Sequence, residues 1–149
     1  MSTSATTTTR QTSTRTSNES PLNTVKNVSE LVGRTFLSVL FVLSGVGKIG
    51  AYAATAAYMS SVGVPSVLLP VVIATEVLGA LAIILGWHTR IAAFLLAGYS
   101  LLAALIFHAN FAEQIEMISF LKNVSIAGGF LLLVGNGAGP LSLDRRRAR

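Results

Sequence analysis

The sequence predicts an all-α, polytopic membrane protein: an antiparallel bundle of four transmembrane helices, with an interfacial segment between the first two. Three observations lead there. Of the 149 residues, 52% are apolar and 11% charged, against about a quarter charged in a soluble domain. The charges are segregated, since residues 91–112 and 123–143 contain no Asp, Glu, Lys or Arg. Apolar runs that approach the roughly 30 Å of a hydrocarbon core recur four times, separated by polar turns or helix breakers.

Residues 1–28 are dominated by Ser and Thr and hold no apolar run that could pack or insert, so they read as a disordered cytoplasmic tail. The membrane domain follows over residues 29–143, with a first span near 31–49. Within it, Thr35 to Gly47 is the stretch between two charges, roughly 20 Å of helix. Arg34 and Lys48 are therefore expected at opposite interfaces, snorkelling outward. The weakly amphipathic segment from Ile49 to Val62, closed by Gly63 and Pro65, is too polar to span well and is expected along the interface, where tyrosines such as Tyr52 and Tyr58 are favoured.

A second span over 66–87 carries Glu76 near its middle, and Gly86 with His88-Thr89-Arg90 makes a tight turn into a third over 91–108. So short a connection makes these helices antiparallel neighbours. Ala109 to Met117 reads as an aqueous loop. The fourth span, 118–136, must start near Ile118, because Gly135 to Pro140 is a cluster of breakers and Asn123 to Val134 alone gives roughly 18 Å. Residues 144–149 form a basic C-terminal tail. Of the eleven Lys and Arg residues, all but Lys48 and Lys122 fall on the side of the two tails and the Arg90 turn. Lys and Arg accumulate on the cytoplasmic side, so both termini are placed inside, as in a bacterial inner-membrane protein.

Depth then groups the polar residues. Lys48, His108, Asn110, Lys122 and Asn123 fall at the outer end of the bundle, with Glu76 two to three turns below, so an outward-facing polar pocket is expected. A lone carboxylate at mid-bilayer is costly, which calls for protonation, hydration or pairing with Lys122 or Lys48. Such a pair either fixes helix register or handles protons and ligands. Tyr58 and Tyr99 could flank a planar ligand. Ser44, Gly45, Gly47, Gly79, Ala80 and the 127–129 run read as small residues that let helices approach.

Other chemistries are excluded. With no cysteine there is no disulfide, thiolate-held metal or redox thiol. His88 ends the second helix inside and His108 ends the third outside, about 30 Å apart, so they cannot share one iron within the chain, and no metal site is expected. Basic residues flank apolar spans instead of interleaving with aromatics, which argues against nucleic acid and for the lipid bilayer as partner.

The run Leu40-Phe41-Val42-Leu43-Ser44-Gly45-Val46-Gly47-Lys48-Ile49 resembles the first-helix signature of the DoxX family, and Tyr58 to Pro65 resembles its Tyr-Met-x-x-x-Gly-Val-Pro stretch. Glu76 to Gly79 with Gly86 to Arg90, and Phe120 to Val124 with Ala127 to Gly129, resemble its second and fourth helices. The likeness spans about Leu31 to Leu143. It implies a four-helix membrane protein linked to quinone oxidoreductases, and it implies Lys48, Glu76, Lys122, Asn123 and His108 as the polar set. The function expected is a membrane oxidoreductase subunit that binds a quinone or small apolar ligand, with Glu76 and Lys122 as catalytic pair and Lys48, His108, Asn123 and Tyr58 as binding residues. The alternative is a non-enzymatic scaffold that holds a soluble redox or stress-response enzyme. A second copy of the chain is a further expected partner.

Overall fold

The computed structural model describes residues 21–147, and every regular element in that range is helical. Most of the expected Ser/Thr-rich tail lies outside the described residues. Its end does not: α1 runs over Pro21–Gly50, 30 residues, so residues 21–28 belong to the helix. Pro21 suits a first helical position, where no N–H is needed, and Lys26 reaches Glu30 one turn later at 3.9 Å.

After a break at Ala51, α2 covers Tyr52–Ser61. Gly63, with φ +80°, and Pro65 then turn the chain into a 3₁₀ turn, Ser66–Leu68, and α3, Leu69–Leu85. Pro70 opens α3 where its missing N–H costs nothing. The remaining elements are α4 over Thr89–Phe107, α5 over Gln114–Asn136 and a short α6 over Leu143–Arg147. The fourth long helix thus starts at Gln114, a turn before the sequence-based boundary at 118. Glu116 sits in its first turn, where the helix dipole favours an acid.

Four of these helices are long and apolar enough to cross a membrane: α1, α3 with its 3₁₀ turn, α4 and α5. Packing runs α1 on α3, α3 on α4 and α4 on α5, with a lighter α1–α5 contact closing the bundle. The core is narrow and rich in alanine: Ala80, Ala92, Ala93, Ala97 and Ala127 bring the helices close, and Phe41, Leu96 and Phe130 fill the gaps. Phe41 meets Phe130 edge-on at a centroid distance of 5.3 Å. Outward, Phe36, Leu43, Val71, Leu78, Phe94 and Leu132 are exposed on all sides. Water would not tolerate so continuous an apolar surface, whereas lipid requires it.

The end bearing α6 is tied by buried polar groups that the sequence reading missed. Arg34 is 2% exposed. It does not snorkel outward: its guanidinium donates to the carbonyls of Ala138 and Leu141 in the segment after α5. Those carbonyls lie within and just after the run of helix breakers, where no helical N–H satisfies them, so they are natural acceptors for a fork of N–H donors. Gly86 completes the joint. It has φ +67°, and a Cβ there would lie 2.4 Å from Cβ of Ser142, so only glycine meets both demands. His88 is also left-handed, at φ 45°, a conformation that costs an L-residue about 1–2 kcal/mol.

Asp144 offsets that cost by capping α4 from a distance. Its carboxylate accepts the N–H of His88 at 2.8 Å and of Thr89 at 2.9 Å. Partial burial opposes ionisation, but hydrogen bonds from Thr89 and His88 and the nearby His88 charge outweigh it and hold the carboxyl below its ordinary 3.8. A depressed folded-state pKa gives stability that is fully present above the ordinary value and lost as pH falls through the lower folded one. Asp144→Ala is therefore expected to destabilise the detergent-solubilised protein by about 1 kcal/mol near neutral pH. In thermal melts the gap between variant and parent should shrink as pH is lowered through the acid range.

Candidate functional site

Ser44 and Lys48 lie one turn apart on α1 and share the face turned to α3, where Glu76 projects between them and α4. Glu76 is 2% exposed and fully engaged. The Lys48 ammonium lies 2.9 Å from both carboxylate oxygens. The Ser44 hydroxyl donates to Oε1 at 3.2 Å, and the Tyr99 hydroxyl of α4 donates to the same oxygen at 2.6 Å. Lys48 also donates to Ser44 Oγ at 2.6 Å. Three helices are thereby bound to one carboxylate.

Gly45 makes the approach of α1 and α3 this close. A Cβ at that position would lie 2.6 Å from Val77 Cγ2 and 3.5 Å from Glu76 Oε2. The glycine expected as a packing residue therefore also sets the ion-pair distance.

Beside the network a cavity of about 500 Å³ opens between α1, α2, α3 and α4, reaching Asn123 of α5. Its walls are apolar, with Leu40, Leu68, Val72, Leu102, Ile106 and Phe107 prominent, while Lys48, Glu76, Ser44 and Tyr99 concentrate the polarity at one place. The segment expected to lie along the interface, α2, closes over this space: Met59 is 4% exposed, and Tyr58 stacks on Phe107 with centroids 5.7 Å apart and planes at 27°. His108 and Asn123 stand on the wall as well. His108 Nδ1 is bonded to Glu116 Oε2 at 2.6 Å, which joins the end of α4 to the start of α5, and the Asn123 amide donates to Ser119 O at 3.0 Å.

Of the six residues predicted from sequence, Glu76, Lys48, Tyr58, His108 and Asn123 therefore come together on one cavity. Lys122 does not. It is exposed on α5, lines no part of the cavity and takes part in none of the ion pairs among the described residues. The reason is helical phase: Asn123 faces inward, and its predecessor, 100° around the helix, faces out. Lys48 replaces Lys122 as partner of Glu76, and so does not snorkel. Tyr99 and Ser44 carry more of the site than their sequence context announced. The i, i+4 spacing of Ser44 and Lys48 was the available signal for one, while the reach of Tyr99 depends on how α3 and α4 pack. Among the described residues no three His, Asp or Glu side chains gather as a metal site requires.

Four membrane-length helices around a buried carboxylate–ammonium pair, capped by a short helix, define a small polytopic membrane protein with an internal ligand-sized cavity. The family model for DoxX matches residues 29–109, and the chain belongs to the DoxX family. Two relatives from Escherichia coli strain K12 are similar along most of their length. Inner membrane protein YqjF is 47% identical over 121 residues, covering 81% of this chain and 93% of that protein. Inner membrane protein YphA is 42% identical over 123 residues, covering 78% of this chain and 88% of that one. No solved structure matches the chain.

Removing one member of a buried pair strands the other, at a cost of about 3–5 kcal/mol. Lys48→Met is expected to lower the melting temperature of the purified protein sharply, whereas Lys122→Met should change stability by less than about 0.5 kcal/mol. Parallel thermal scans in one detergent check the contrast.

Proposed function

We propose that the cavity beside Glu76 binds a quinone or a similarly small, apolar molecule with a carbonyl oxygen, as part of a membrane oxidoreductase. The observation that carries this is the division of the cavity: aliphatic and aromatic walls, with an ammonium and two hydroxyls gathered around one carboxylate. A planar ring with one polar edge matches that division, since pockets of this size recognise ligands by apolar area plus a few placed polar groups. Tyr58 and Phe107 supply flat aromatic surface on one wall.

Lys48 engages Glu76 and Ser44 with its ammonium, and part of its side chain, 24% exposed, faces the opening. It is the natural donor to a ligand oxygen, with Tyr99 beside it. Reduction of a quinone takes up two electrons and two protons; the Glu76–Lys48–Tyr99 network is the proton-handling part, and the electrons come from a partner redox protein. On this reading the protein sits in the bacterial inner membrane with both termini cytoplasmic, because the basic residues collect at that end.

The test fills the cavity without touching the polar groups. A short-chain quinone titrated into detergent-purified protein is expected to bind the parent, and Ala103→Trp, on the cavity wall, to weaken binding at least about tenfold. Glu76→Gln should weaken it too. If Ala103→Trp and Glu76→Gln bind the quinone as the parent does, the reading is wrong.

A further inference from the structure

At the opposite end of the bundle from Lys48, the start of α1, the α3–α4 turn and the segment around α6 enclose a second cavity, of about 680 Å³. Most of its lining residues are polar or charged, and its charges are unevenly committed. Asp144 is occupied by the N–H groups of His88 and Thr89; Glu30 lies 3.9 Å from Lys26 through Oε1, while its Oε2 is buried without a hydrogen-bond partner. Arg90 and Arg145 also line the cavity, and neither guanidinium has a carboxylate or hydrogen-bond partner among the described residues. Arg90 lies over Gly137, its Nε within ordinary contact distance, 3.6 Å, of where a Cβ would stand. Asn23, Asn27 and Asn136 bring further amide groups.

One rim of this cavity is apolar. Ile91, a lining residue, is 62% exposed, and below it on the same face of α4 follow Leu95 at 58% and Leu102 at 58%. A polar chamber with two unpaired arginines therefore opens directly onto a lipid-facing stripe.

We propose that this cavity holds the headgroup phosphate of an anionic phospholipid, gripped by Arg90 and Arg145, with an acyl chain lying along Ile91, Leu95 and Leu102. Guanidinium forks bind phosphate by paired, charge-assisted hydrogen bonds. The excess of cations favours a headgroup with net negative charge, and the apolar stripe favours a lipid over a free phosphate ion. Arg146 and Arg147, exposed on α6, add to the attraction for an anionic surface. The arginine end of the site is separate from the cavity beside Glu76, whose wall the apolar stripe meets only at Leu102.

The test is native mass spectrometry of the detergent-purified full chain, with dioleoyl phosphatidylglycerol, dioleoyl phosphatidylcholine or inorganic phosphate added separately. The parent is expected to retain phosphatidylglycerol over phosphatidylcholine. Arg90→Gln/Arg145→Gln should reduce that retention at least about tenfold, and Arg90→Lys/Arg145→Lys, which keeps the charge, should restore part of it. Equal retention of phosphatidylglycerol by the parent and the Gln variant would overturn the proposal. So would retention of inorganic phosphate without any preference between the lipids, which would mark the cavity as an ion site. A Gln variant that loses its cooperative melt is replaced by the Lys pair: Lys variants that fold and show no lipid preference also overturn it.

Discussion

A carboxylate surrounded by apolar helices is tolerable only if every lone pair that needs a partner has one, and the arrangement around Glu76 follows from that requirement. Lys48, Ser44 and Tyr99 all converge on it, from two different helices. In a low-dielectric interior such bonds are strong when made and costly when broken, so the network selects one register of α1 against α3 and one rotation of α4. Gly45 makes the first of these geometrically feasible. The cavity is then a consequence: helices held by a polar contact at this level, with alanine packing nearer the α6 end, diverge on the far side, and α2 folds over the opening.

The α6 end repeats the strategy with different chemistry. There the buried charge is Arg34, its partners are backbone carbonyls rather than an acid, and Asp144 meets backbone N–H groups rather than a base. Charged side chains thus satisfy main-chain groups that irregular segments leave open, a necessity where water is scarce. The middle and the C-terminal end of α1 are consequently fixed by Arg34 and Lys48, residues expected to snorkel to the interfaces. Neither charge snorkels because each finds partners within the protein: Arg34 the carbonyls of Ala138 and Leu141, Lys48 the Glu76 carboxylate.

The architecture was legible in the sequence because it depends on quantities read directly from residues: run length, charge segregation and breaker positions. Four spans and the tight Gly86 turn follow from these. Most of the site was legible by depth, since a helix rises a fixed distance per residue and residues of like depth must meet. What depth does not give is rotation. Lys122 and Asn123 share a depth, yet one faces out and the other lines the cavity. Tyr99 reaches Glu76, and Asp144 reaches His88, only through packing between elements far apart in the chain, for which no periodicity in one segment carries a signal.

The central claim is that Lys48 and Glu76 act as one buried unit on which the bundle's geometry rests. A double-mutant cycle over Lys48→Met and Glu76→Leu, read as unfolding free energy in a defined detergent, tests it most directly. The account predicts that each single variant is far less stable than the parent, that the double variant recovers much of the loss, and that the coupling energy is at least about 2 kcal/mol. Additive effects, with a coupling energy near zero, would contradict it.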